Sequence, residues 1–324
     1  MRVAHAVVFI AAVVARPQKR VERWATYGTN ATVPSPSGLV CEQRTPKATH
    51  NLTGVIFVHI FKAAGSSVRQ KLRGYAAACG KRWACLIHCT NATKFLVSKT
   101  RVHCDVKDEI HMPKVASLAL LSTRDNLRRA DVLGGHVNVG LGGLWPRPRF
   151  VTLMRDPRAA VVSGLRYTHP QSSKAQILNK IRRRARDKAG TARNAVTYLA
   201  SDSWAVKRNV SAAYADAARN LATFDVVGLV ENWDVSMRML RAFFDPRGVY
   251  RDWVSDERDN VSRKKFSTRA VVDALTPDEA AGLDRYLARE LDLYRHGVTA
   301  HERTCRALLG RVHPCRPFKH GGGS

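Results

Sequence analysis

The stretch VIFVHIFKAAGSSVRQKL, from Val55 to Leu72, constrains this chain more than any other feature of its sequence. A short apolar run leads into one lysine, three small residues and two serines. A helical pattern follows, with Val68, Leu72 and Tyr75 at helical spacing. A buried strand, a tight loop and a helix N-terminus form a natural cradle for an anion, because the first amides of a helix lack partners within it. The common nucleotide loop reads G-x-x-x-x-G-K-[ST], with its lysine after the last glycine. Here Lys62 precedes Gly65, and no glycine opens the loop. The anion and its chemistry therefore have to be sought elsewhere in the chain.

Two later segments repeat the strand-then-helix pattern. RFVTLM, from Arg149 to Met154, precedes RDPRAAVVSGLRY, and FDVVGLV, from Phe224 to Val230, precedes ENWDVSMRML. Strands alternating with helices predict an α/β fold with a parallel sheet covered on both faces. In the second segment Asp156 is placed as a helix N-cap and Pro157 as the first helical residue. Arg155 then sits at the carboxyl end of a strand, the ligand rim of an open α/β sheet. Ser163 falls about two turns into the helix, on the face near the sheet. Arginine can grip phosphate with two parallel hydrogen bonds and serine can add a third. Spacing alone leaves open whether Arg155 does this, pairs with Asp156 or simply caps the rim. The stretch KAQILNKIRRRARDKAGTARNAVTYL reads as a long basic helical stretch.

Charge and processing signals limit the function classes. The chain has 54 Lys and Arg against 26 Asp and Glu, a formal charge of +28. That excess implies an anionic partner: nucleic acid, a membrane surface or an acidic polymer. With 45% apolar residues the chain can still bury a core. The apolar run from Val3 to Ala15 is shorter than the ~20 residues of a bilayer span. It reads as a signal-peptide core, with Val13-Val14-Ala15 resembling a cleavage site, or as a short retained anchor; a buried strand is the plain alternative. Glycosylation acceptors N-x-[ST] begin at Asn30, Asn51, Asn91, Asn209 and Asn260, and seven cysteines suit an oxidising compartment. Both counts favour a luminal chain over a nucleic-acid binder. Cys305 and Cys315 are expected to pair; Cys79, Cys85, Cys89 and Cys104 cluster without a defined pairing. That cluster, with His88 and His103 nearby, lacks a C-x-x-C pair, and no metal is expected. The organisation expected is a leader over residues 1–20, a stem over 21–50, one domain over 51–318 and a flexible tail over 319–324.

Together the motifs resemble the membrane-bound carbohydrate sulfotransferases of the Golgi, the group that includes heparan sulfate 2-O-sulfotransferase. FVHIFKAAGSS resembles the 5′-phosphosulfate loop of that family, often written K-x-G-[GS]-[ST]-[ST]. RFVTLMRDPRAAVVSGLRY resembles its 3′-phosphate block, and FDVVGLVENWDVSMRML its downstream strand and helix. Ala63 and Ala64 stand where threonine or glycine is more usual. The resemblance implies a P-loop-kinase-like sheet and the donor 3′-phosphoadenosine 5′-phosphosulfate, with no metal. It places Lys62, the amides of Ala63, Ala64 and Gly65, and Ser66 and Ser67 on the phosphosulfate, and Arg155 and Ser163 on the 3′-phosphate. Arg263 and Lys264 fall where the family has a basic loop closing over the nucleotide. In ADVLGGHVNVGLGG a short strand is expected to end at the glycine pair with His136 at its tip, matching the family's catalytic histidine. His59 is expected to be packed, and His111 and His169 are weaker candidates for the base. The implied acceptor is an acidic glycan, with NKIRRRARDK a candidate contact for its acidic groups and a solvated basic helix as the plain alternative. Transfer to tyrosine or a small molecule, or a non-catalytic heparin-binding lectin on the same fold, are the competing functions.

Overall fold

The computed structural model describes residues 54–81, 83–89, 105–110, 130–187, 190, 192–201, 205–254, 266–310 and 315. The leader, stem and tail, four of the five glycosylation acceptors, and Arg263 and Lys264 lie outside the described residues. No described helix is long and apolar enough to cross a membrane.

The three strand-and-helix units expected from the sequence all form. β1 (Val55–Val58) leads into α1 (Gly65–Ala78), β5 (Arg149–Met154) into α2 (Pro157–Thr168), and β6 (Val226–Leu229) into α7 (Trp233–Phe244) after one 3-10 turn. β2 (Trp83–Cys89), β3 (Asp105–Ile110) and β4 (Val132–Val137) complete one sheet in the order β3-β2-β4-β1-β5-β6. The β2–β4, β4–β1, β1–β5 and β5–β6 pairs are parallel, and β3 adds to the edge in the antiparallel sense. Counted in chain order, the five parallel strands run 2-3-1-4-5. The fold is α/β, with a P-loop-kinase-like parallel sheet between helices. β1 lies where the order reverses, so the crevices beside its carboxyl end are the ligand rim.

Alternation along β1 explains why it is buried on both sides. Ile56 and Val58 point into a core with Leu133, Met154 and Leu229, closed by α4 (Ala195–Leu199), α6 (Val210–Thr223) and the long α9 (Pro277–Leu309). Phe57 points the other way, onto Val68 and Leu72 of α1 and Trp233 and Leu240 of α7. A third cluster joins α2 to α3 (Lys174–Ala185), to α8 (Thr268–Val272) and to the first turns of α9 through Val162, Ile177, Val271 and Leu283. The short α5 (Ala205–Arg208) precedes α6. Cys305 and Cys315 form the expected disulfide.

Two expectations are corrected. The basic stretch is not one helix: α3 ends at Ala185, Gly190 takes a left-handed φ of 63°, and its amide bonds to Arg285 O at 2.8 Å. Glycine is the residue that adopts such a φ without a Cβ penalty, so the chain turns at Gly190 and does not continue as helix. The strand carrying His136 also does not end at the glycine pair. Gly134 and Gly135 pair with Phe57 and Val58 of β1, and β4 runs on to Val137.

Candidate functional site

The loop between β1 and α1 is held in an uncommon backbone conformation. Lys62 and Ala64 have φ of 66° and 56°, the left-handed region that residues with a Cβ seldom enter. Each such residue costs about 1–2 kcal/mol, and strain of this kind clusters at functional sites. The surroundings impose it. Asn194 Nδ2 donates to the carbonyl of Phe61 at 3.1 Å, and Arg155 Nη1 donates to that of Lys62 at 3.3 Å. The amides of Ser67 and Val68 turn back onto Ala64 O. Ala64 at the N-cap has no side chain to cap α1 and no acidic residue stands in the first turn, which leaves the positive end of the helix facing the loop. Ser66 is half-buried and Ser67 is buried.

Gly65 has a specific steric role. A Cβ there would lie 1.8 Å from the His59 ring, so only glycine lets that ring slide beneath the helix start. His59 is buried, as expected, and stacks on His136 at 4.1 Å between centroids. Its carbonyl lies 2.8 Å from His136 Nδ1. A carbonyl only accepts, so Nδ1 carries the proton and Nε2 of neutral His136 holds the lone pair a general base needs. Phe61 and Tyr198 flank the His136 ring at 6.2 and 5.7 Å. Burial, reinforced by the charges of His136, Arg69 and Lys62, pushes the pKa of His59 well below the ordinary histidine value. His59 is therefore held neutral. Lys62 Nζ lies 4.1 Å from the centroid of the exposed Tyr167 ring and 5.5 Å from that of Phe61.

The Asp156 carboxylate is engaged away from Arg155. It accepts from the amides of Arg158 and Ala159 as the N-cap of α2, and it also meets the Arg158 guanidinium at 3.5 Å. Arg155 makes no ion pair with it among the described residues. Instead Arg155 reaches the Lys62 carbonyl while its Nε is buried without a partner. Burial lowers its pKa, against the opposing pull of Glu231 and Asp156.

Arg166, which the sequence reading passed over, has the same character. It is buried, its Nη1 donates to Thr268 Oγ1 at 3.3 Å, its guanidinium lies 4.8 Å from the Phe266 ring centroid, and its Nε is also unpartnered. Burial lowers its pKa, and the charge of Arg155 lowers it further. Two buried guanidiniums that feel each other are costly unless an anion joins them. Arg166 sits three residues after Ser163, hence on the same flank of α2. That i, i+3 spacing was visible in SGLRY, but without the helix phase it could not be told from a surface arginine.

Lys62, the loop from Ala63 to Ser67, His136 and Arg155 thus meet at the carboxyl ends of the adjacent strands β4, β1 and β5. Ser163 and Arg166 lie on the helix that follows β5, and Arg166 is near enough to feel the charge of Arg155. Among the described residues no group of three or more His, Cys, Asp or Glu side chains could hold a metal. Comparisons with protein-family models, curated proteins and solved structures find no match.

Proposed function

We propose that the chain is a sulfotransferase of the secretory pathway, moving a sulfuryl group from 3′-phosphoadenosine 5′-phosphosulfate to a hydroxyl of an acidic glycan. The observation that carries this reading is the convergence of a cationic loop with a histidine of fixed tautomer. Lys62 and the start of α1 offer positive charge to the phosphosulfate, and His136 stands next to them with Nε2 as acceptor. Arg155, Arg166 and Ser163 suit a second phosphate, the feature that separates this donor from AMP or ATP. His136 takes the hydroxyl proton as the acceptor oxygen bonds to sulfur and the bond from sulfur to the bridging phosphate oxygen breaks. Lys62 offsets charge building on the leaving phosphate. A lectin would need the basic surface but not a stacked, tautomer-fixed histidine beside the anion loop, which favours the enzyme.

Calorimetric titration tests the donor assignment. The protein should bind 3′-phosphoadenosine 5′-phosphate far more tightly than AMP, and Arg155→Ala should weaken the former by about 1.5–3 kcal/mol, the range for a hydrogen bond to a charged group. Equal affinity for the two nucleotides would remove the second phosphate from the account.

A further inference from the structure

Glu290 is a buried carboxylate that the proposed reaction does not use. It lies on α9 and meets three successive amides. Asn194 and Val196 donate to its Oε1 at 2.8 and 3.4 Å, and Ala195 donates to its Oε2 at 2.9 Å. The Tyr214 hydroxyl of α6 lies 2.8 Å from the same Oε1. The chain entering this turn is tied to α9 as well, through Gly190 N to Arg285 O at 2.8 Å and Ala192 N to Tyr286 O at 3.5 Å. The three amides belong to the start of α4, where no partner within the helix exists for them. Glu290 is the acceptor they find.

Asn194 holds the N-cap position of α4, where an asparagine side chain ordinarily accepts from the amides that follow it. Here that side chain makes no capping bond. Its Nδ2 donates instead to the Phe61 carbonyl at 3.1 Å, one residue before Lys62 with its left-handed φ of 66°. Glu290 takes the amides that the Asn194 side chain would otherwise serve, and so releases that side chain to hold the anion loop. Two hydrogen bonds in series, Glu290 to the Asn194 amide and Asn194 Nδ2 to Phe61 O, join α9 to the strained backbone. α4 reaches the site a second time through Tyr198, whose ring centroid is 5.7 Å from that of His136.

We infer that Glu290 is a positioning residue for the anion loop and acts on it through Asn194. The inference rests on the donor reading for its part in the reaction, but the loop itself can be observed without any ligand. Hydrogen exchange of the free protein reads it directly. Asn194→Ala and Glu290→Gln should each speed exchange at the amides of Ala63 and Ser67, which bond to Ile60 O and Ala64 O, and leave β5 unchanged. Titration then compares 3′-phosphoadenosine 5′-phosphate with adenosine 3′-phosphate. The ratio of their dissociation constants measures what the loop adds by holding the 5′-phosphate. Each variant should lower that ratio roughly three- to tenfold, the scale of one neutral hydrogen bond, with affinity for adenosine 3′-phosphate unchanged. The double variant should lose no more than Asn194→Ala alone, because the two residues act in series. A carboxylate that served helix stability alone would lower the melting temperature without moving the ratio. Asn194→Ala leaves the Glu290 cap in place, so it remains decisive even where Glu290→Gln does not fold. The inference is overturned if loop exchange in Asn194→Ala matches wild type, or if the losses of the two variants add. It is also overturned if exchange rises while a wild-type ratio well above unity stays where it was. A wild-type ratio near unity would instead sink the donor reading, and loop exchange would then decide the positioning role by itself.

Discussion

His136, on β4, and Lys62, in the loop after β1, belong to one site yet are assigned different work, and paired assays separate them. A general base acts in the transition state, so His136→Ala should cut turnover by roughly 10²–10⁴ and leave donor affinity nearly intact. Lys62→Ala should lower both, because the lysine meets the phosphosulfate in the ground state as well. Full transfer activity in His136→Ala would move the base elsewhere, with His59 the nearest alternative. The residue types of this site were legible in the sequence: a lysine before a glycine, two serines, a histidine beside a glycine pair. Their support was not. That Gly65 exists to admit the His59 ring, and that the His59 carbonyl fixes the His136 proton, depend on the alignment of β1 with β4. No local pattern records that alignment.

Among the elements, α9 contributes most that sequence reading did not foresee. It starts at the capping box Thr276-Pro277-Asp278-Glu279, whose two reciprocal bonds both form. Its 33 residues carry Glu290 to α4 and His301 to β6. β2 was obscured for a different reason, because WACLIHC draws attention as a cysteine cluster rather than as a seven-residue strand. The strands β1, β5 and β6 were legible because short apolar runs ended at clear loop or cap signals; register and strand order are long-range properties and were not. The α9–β6 contact gives a pH prediction. His301 Nδ1 donates to Val227 O at 2.8 Å and Nε2 accepts from Asn232 Nδ2 at 3.2 Å, so the neutral ring is the one that fits. Burial lowers the pKa of His301, as it does that of His59. The unfolded chain, with histidines near pKa 6.5, then binds more protons than the folded one at acid pH. The stability these two rings contribute is complete above about pH 6.5 and is lost as pH falls below it. Melting temperature should drop between pH 7.5 and 5, and the drop should be smaller in His301→Gln. Parallel profiles for the two proteins would exclude His301 as a source of the pH dependence.

At the scale of the whole molecule, the charge of +28 and the five glycosylation acceptors are the grounds on which a luminal protein acting on an acidic polymer is proposed. Asn209 is exposed and caps α6 through its side-chain oxygen, which receives the Ala212 amide at 3.0 Å. That places one acceptor on the surface, where a glycan is tolerated. Expression in a secretory host should give a protein whose mass falls on enzymatic deglycosylation; an unmodified cytosolic chain would contradict the luminal assignment. The central claim is the reaction itself. It is tested most directly by incubating the purified protein with 3′-phosphoadenosine 5′-phosphosulfate carrying labelled sulfur and a panel of desulfated glycosaminoglycans, followed by disaccharide analysis. The account predicts label in a defined disaccharide with wild-type protein and roughly 10²–10⁴-fold less with His136→Ala. Wild-type protein that transfers no label to any acidic glycan, yet retains heparin through high salt, would contradict it and leave a lectin in its place.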